Sequence, residues 1–101
     1  MATFYSEKEQ QKILRELHIA PSDDGYVEAN EAARILTWRA KQEFGVEYEY
    51  DSTVIRQHVK LGRFPEGSIK PINDRRKLYK ASIVFSLPIS PRRGKSRRVT
   101  T

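Results

Sequence analysis

The sequence predicts a small, mainly helical α+β domain followed by a basic tail. Three observations carry that expectation. Apolar residues recur at helical spacing over 6–19, 29–44 and 53–61; residues 68–80 have a hairpin pattern; and the charge balance changes sign along the chain. The chain has 101 residues, enough for one domain with a modest core.

The first helix is expected over 6–19, SEKEQQKILRELHI. Ser6 and Glu9 have the spacing of a capping box, in which each side chain satisfies a backbone N–H of the first turn. Ile13, Leu14 and Leu17 make one narrow apolar stripe, so this helix lies on something else. The loop Ala20-Pro21-Ser22-Asp23-Asp24-Gly25 ends it. Residues 1–25 therefore read as an N-terminal helix and loop packing on the core.

Tyr26 and Val27 give an extended entry to a second helix over 29–44. Ala32, Ala33, Leu36, Ala40 and Phe44 share one face of it, with Ile35 at the edge. The alanines let another helix approach closely, and Gly45 is a natural stop. Trp38 lies nearly opposite the stripe. It reads either as an exposed stacking residue or as a side chain covered by the N-terminal helix; the second is the expectation. Val46, Tyr48 and Tyr50 alternate with Glu47 and Glu49, the pattern of a strand or of an extended connector.

Asp51 or Ser52 caps a third helix at about 53–61. Ile55, Val59 and the adjoining His58 form its buried side, while Thr53, Arg56, Gln57 and Lys60 point elsewhere. Gly62 ends it. Ser68–Ile72 and Arg76–Lys80 are the arms of a two-stranded hairpin turning at Asn73-Asp74-Arg75. Pro71 has no N–H for a ladder, so its arm belongs at a sheet edge. A short last helix over 81–87 turns Ile83, Val84 and Leu87 inward. Residues 88–101, with two prolines, a glycine and five Lys/Arg, have no means of building a core and read as a disordered tail.

Residues 1–62 carry 8 Lys/Arg against 11 Asp/Glu, whereas residues 63–101 carry 11 against 2. The formal charge is +6 and the pI about 9.8. Such asymmetry points to a polyanionic partner met by the C-terminal part; a solvated basic surface is the plain alternative. No cysteine is present, which removes disulfides and cysteine-based zinc sites. The N-terminus lacks the apolar core of a signal peptide, and no apolar run approaches the ~18 residues a membrane helix needs. The expected location is cytoplasmic, or nucleoid-associated in a bacterium.

Helix, turn, short helix, basic hairpin, short helix is the order of a winged helix-turn-helix. At residue level, YVEANEAARIL (26–36), TVIRQHVKLGRFP (53–65) and RRKLYKASIV (75–84) resemble the helix, the recognition helix and the wing of the MerR/excisionase-like winged helix-turn-helix family. The resemblance covers 26–87. The chain departs from the family in a longer first helix of the unit, a longer connector, and one extra residue between Val54 and Gly62, which places the buried recognition-helix position at Ile55.

The resemblance implies double-stranded DNA as partner. A helix at 53–61 would enter the major groove, which is wide enough to admit one, and the hairpin would be the wing. Arg56 and Gln57 have the chemistry to read base edges; Thr53 and Lys60 more often meet phosphate. Lys70, Arg75, Arg76 and Lys77 would reach phosphates or the minor groove from the wing, and Arg63 would hold a phosphate at the hinge. Arg92, Arg93, Lys95, Arg97 and Arg98 would add salt-sensitive attraction. The reading requires Glu43, Glu47, Glu49 and Asp51 to turn away from the duplex or to be paired.

Members of the family commonly bind as dimers or cooperative arrays, so a homodimer is one expectation, with 6–19 as its surface or as a cap on the core. The roles implied are transcription regulator and recombination or architectural factor. No cofactor, metal or small-molecule ligand is expected. Nor is enzymatic activity: His18 and His58 lack metal-ligand spacing, and Glu28 and Glu31 read as helix-start carboxylates. Two rivals remain, a protein-interaction adaptor using the acidic connector with Tyr48 and Tyr50, and an RNA binder, for which the hairpin offers only Tyr79 for stacking.

Overall fold

The computed structural model describes residues 5–45 and 47–89. Its elements run α1 (Glu7–Glu16), β1 (Tyr26–Glu28), α2 (Ala29–Phe44), α3 (Ser52–Lys60), β2 (Ile69–Pro71), β3 (Lys77–Lys80) and α4 (Ala81–Val84). The fold is α+β, with four helices and one three-stranded antiparallel sheet among the described residues.

The capping box at the start of α1 is formed: Ser6 Oγ accepts from the Glu9 N–H at 3.2 Å, and Glu9 accepts from the Ser6 N–H at 3.0 Å. The helix stops at Glu16, short of the expected 19. His18 takes a left-handed φ of 59°, and the Ile19 and His18 N–H groups donate back to the carbonyls of Leu14 (2.9 Å) and Arg15 (3.0 Å). This closure satisfies the last carbonyls and folds Ile19 against Leu14. Ile13, Leu14 and Ile19 are all buried in the core, so the apolar stripe of α1 is covered within the chain.

α2 occupies the expected 29–44. Ala32, Ala33, Ile35, Leu36 and Ala40 are buried, and Ile35 and Leu36 completely so. Burying side chains of that size is worth about 1.5–3 kcal/mol each. Two positions differ from expectation. Phe44, placed on the buried face by the helical wheel, is 39% exposed at the helix end, whereas Arg39 is only 4% exposed. Trp38 is half-buried, and its ring meets that of Tyr5 (5.9 Å between centroids), just ahead of α1.

The hairpin is two strands of a larger sheet. β1 pairs with β3 (Tyr26–Lys80, Val27–Tyr79, Glu28–Leu78), and β2 pairs with the other side of β3 (Ile69–Tyr79, Lys70–Leu78, Pro71–Lys77). The expected extended entry at Tyr26 and Val27 is thus a third strand, and the sheet is not two-stranded. Val27, Tyr79 and Ile69 stand in one row across it, the first two buried and the third partly so. Phe64 packs on Tyr79 with ring centroids 5.3 Å apart. β2 is an edge strand, which accommodates Pro71.

Residues 47–50 form no strand. α4 ends at Val84 rather than 87. The Ser86 and Leu87 N–H groups donate to the carbonyls of Ile83 (2.9 Å) and Val84 (3.3 Å), a tightened turn ahead of Pro88. Val84 and Leu87 are buried as expected, and Phe85 is the largest fully buried side chain. Among the described residues, no helix is long and apolar enough to cross a membrane.

Candidate nucleic-acid interface

α3 is fixed by its cap and by one buried face. Asp51 is the N-cap, and its Oδ1 accepts from the Thr53 N–H at 3.0 Å. Ile55 is fully buried and His58 nearly so, while Val54 and Val59 are half-buried. Thr53, Arg56, Gln57 and Lys60 are all exposed. The helix ends as α1 does, with Gly62 at φ 73° and the Arg63 N–H returned to the His58 carbonyl at 3.0 Å.

The hairpin turn is braced by one side chain. Asn73 Oδ1 accepts from the N–H groups of both Arg75 and Arg76, each at 2.8 Å. The side chain thereby replaces backbone partners that the turn lacks. Lys70, Arg75, Arg76 and Lys77 are exposed.

Between α3 and the hairpin lies an open groove of about 510 Å³. Its cations are Arg56 and Lys60 from α3 and Arg75, Arg76 and Lys77 from the hairpin; its carboxylates are Glu28 and Asp74. Five of the expected site residues therefore share one concave surface. Thr53 and Gln57 do not line it. They border a second depression of about 440 Å³ on the other side of α3, with Tyr48, Tyr50, Asp51 and Ile89. Arg92 and Arg93 lie outside the described residues, as do Lys95, Arg97 and Arg98.

Several expected contact residues already have partners. Lys70 Nζ pairs with Asp24 Oδ2 at 2.5 Å. That hydrogen bond holds the Asp24 carboxyl down to about 2 and raises the Lys70 ammonium. Arg76 pairs with Glu28. Both pairs are exposed, and exposed pairs contribute little to stability. Arg63 Nη1 lies 3.2 Å from His58 Nδ1. Burial, then the Arg63 guanidinium, pushes the His58 imidazole below its usual pKa, so the ring accepts from Arg63 as the neutral form. Arg56, Lys60, Arg75 and Lys77 make no ion pair among the described residues.

The acidic residues ahead of α3 are largely accounted for. Glu43 is paired internally with Arg39 at 2.8 Å, Glu47 lies 3.3 Å from Lys41, and Asp51 is a cap. Glu49 is exposed and makes no ion pair among the described residues. None of the four lines the groove.

Sequence reasoning missed Glu28 and Asp74 as groove residues, and missed Arg39. Glu28 is the N-cap residue of α2, a local role that conceals its place beside Arg76. Arg39 follows Leu36 by three positions and so falls on the buried face, a signal that its charge masks. Its Nη1 donates to the carbonyls of Val84 (2.9 Å) and Leu87 (2.8 Å), binding α2 to the end of α4 and to the turn that follows it. No group of three or more His, Cys, Asp or Glu suited to a metal ion occurs among the described residues. Comparisons of this chain with protein-family models, curated proteins and solved structures found no match.

Proposed function

We propose that this chain binds double-stranded DNA as a winged helix-turn-helix protein, with α3 as recognition helix and the β2–β3 hairpin as wing. The observation that carries the reading is the groove in which Arg56 and Lys60 of one element face Arg75, Arg76 and Lys77 of another. Two elements presenting cations to a common concavity suit a charged cylinder such as a duplex. Phosphates would be met from both walls, and Arg56 has the chemistry to read a base edge. The roles that follow are transcription regulation and recombination or DNA architecture. The test is fluorescence anisotropy with a random duplex of about 30 base pairs, roughly three helical turns, over a salt series. Binding that weakens steeply with salt, and is lost on neutralising Arg56, Arg75 and Arg76 together, is the expected result. Unchanged affinity in that triple variant would refute the groove.

A protein-interaction adaptor is the second reading. It is favoured by the depression beside α3, where the Tyr48 and Tyr50 rings meet edge to face at 4.8 Å. Absence of duplex binding even at low salt would select it.

A further inference from the structure

The tip of the hairpin carries an apolar side chain that the groove does not use. Ile72 is 51% exposed, although isoleucine is among the residues most often found inside. Pro71 beside it is exposed as well. Neither lines the groove between α3 and the hairpin.

The tip is held rather than loose. The Ile72 N–H donates to the Arg76 carbonyl at 2.9 Å, and Asn73 Oδ1 ties down the N–H groups of Arg75 and Arg76. Backbone conformation therefore presents Ile72 outward on a braced turn. Around it in the chain are Lys70, Arg75, Arg76 and Lys77, with Asp74 among them. Lys70 and Arg76 are engaged by Asp24 and Glu28, which leaves Arg75 and Lys77 as the cations without an ion pair among the described residues. A protein partner would find one apolar side chain ringed by charge, far short of the ~800 Å² per partner that a stable interface buries. A stacked base-pair step is a better match. It accepts a single apolar wedge from the minor groove, and the phosphates on either side take the cations.

We infer that Ile72, backed by Pro71, is a wedge that enters a base-pair step under the hairpin tip and kinks the duplex. The inference rests on the DNA-binding reading and adds to it a mode of action. The wedge favours pyrimidine–purine steps, which unstack most easily. It makes this chain a DNA-bending protein whose preference at the wedged step comes from deformability, without a hydrogen bond to a base.

The test is ligase-catalysed circularisation of a fragment of about 120 base pairs, shorter than the ~150-base-pair persistence length, so that closure is slow unless the DNA is bent. Wild type, Ile72→Leu and Ile72→Ala are compared, with the affinity of each measured on a short duplex by anisotropy. Wild type and Ile72→Leu are expected to accelerate ring closure by about tenfold or more, and Ile72→Ala to lose most of that while its affinity stays within about threefold. If all three bind and close rings at the same rate, or bind without accelerating closure, the wedge is overturned and DNA binding stands. If none binds duplex, both fall together. Ile72 is exposed, so its variants are expected to keep the wild-type melting temperature, which reports a folding defect separately.

Discussion

Arg39 and Glu43 form an ion pair inside the fold, one helical turn apart on α2, with Nε to Oε2 at 2.8 Å and side-chain exposures of 4% and 9%. The guanidinium also donates to the carbonyls of Val84 and Leu87, and Glu43 accepts from the Tyr5 hydroxyl at 2.6 Å. One charged pair thus joins three parts of the chain: Tyr5 ahead of α1, α2 itself, and the end of α4 with the turn that follows it. Removing one partner of a buried pair leaves the other charge uncompensated, which costs about 3–5 kcal/mol. Arg39→Ala is expected to lose that much in urea denaturation, a large part of a small domain's stability. Arg39→Lys should recover little, because an ammonium lacks the planar fork that spans two carbonyls and a carboxylate.

Tyr5 supplies a separate reading of the same cluster. Burial, followed by the hydrogen bond to Glu43, pushes its phenol up to about 12. An unfolded tyrosine ionises near 10, so between these values the folded chain holds more protons and stability falls as pH rises. In an ultraviolet titration of the tyrosines, Tyr5→Phe should remove one that ionises near 12. The same substitution costs about 1.5–3 kcal/mol at neutral pH through loss of a hydrogen bond to a charged group.

His58 gives a dependence of opposite sign at lower pH. Its folded pKa lies below the ordinary 6.5, from burial and the neighbouring Arg63. The unfolded chain therefore binds a proton first as pH falls, and stability is lost from about 6.5 downward. Denaturation midpoints measured from about pH 7.5 to 5 should decline in wild type. The decline should be much reduced in His58→Gln, which cannot titrate. An equal decline in both would remove the buried imidazole from the account.

The groove makes unequal predictions for neighbouring arginines. Arg75 has no ion-pair partner, so Arg75→Ala should lower the salt slope of duplex binding by about 1. Arg76 must first leave Glu28, so its removal should matter less. Glu28→Gln both releases Arg76 and removes a negative charge from the groove. It is expected to tighten binding about three- to tenfold at low salt, an advantage that fades as salt screens it.

Much of this arrangement is legible in the sequence because it is local. The ends of α2, the Ser6–Glu9 box, the Asp51 cap and the edge position of Pro71 each follow from residues a few positions apart. The outward face of α3 follows from Ile55 and His58 within one turn. What was hidden depends on partners far along the chain. β1 is three residues long, too short for alternation to register, and exists because β3 pairs with it some fifty positions later. Arg39 looks like a surface residue until the carbonyls of Val84 and Leu87 are placed beside it. Lys70 and Arg76 look unpaired until the sheet brings Asp24 and Glu28 alongside. Cations that sequence alone treats as equivalent are divided by the fold into paired and unpaired sets.

The junctions of the sheet have a bearing on how the chain tolerates added residues. β1 runs into α2 at Glu28–Ala29, and β3 runs into α4 at Lys80–Ala81, with no spacer at either point. The Ala81 N–H also donates to the Gly25 carbonyl at 2.9 Å. A single residue inserted at either junction would rotate a helix by about 100° against the strand that leads into it; at Glu28–Ala29 that helix is α2, whose first residues line the groove. The stretch 47–50 lies outside both helix and sheet but is tied in as well: the Tyr50 N–H donates to Thr37 Oγ1 at 2.9 Å, and the Tyr50 side chain packs against the core. Residues added there are expected to shift α3 against α2, and with it the distance between α3 and the hairpin.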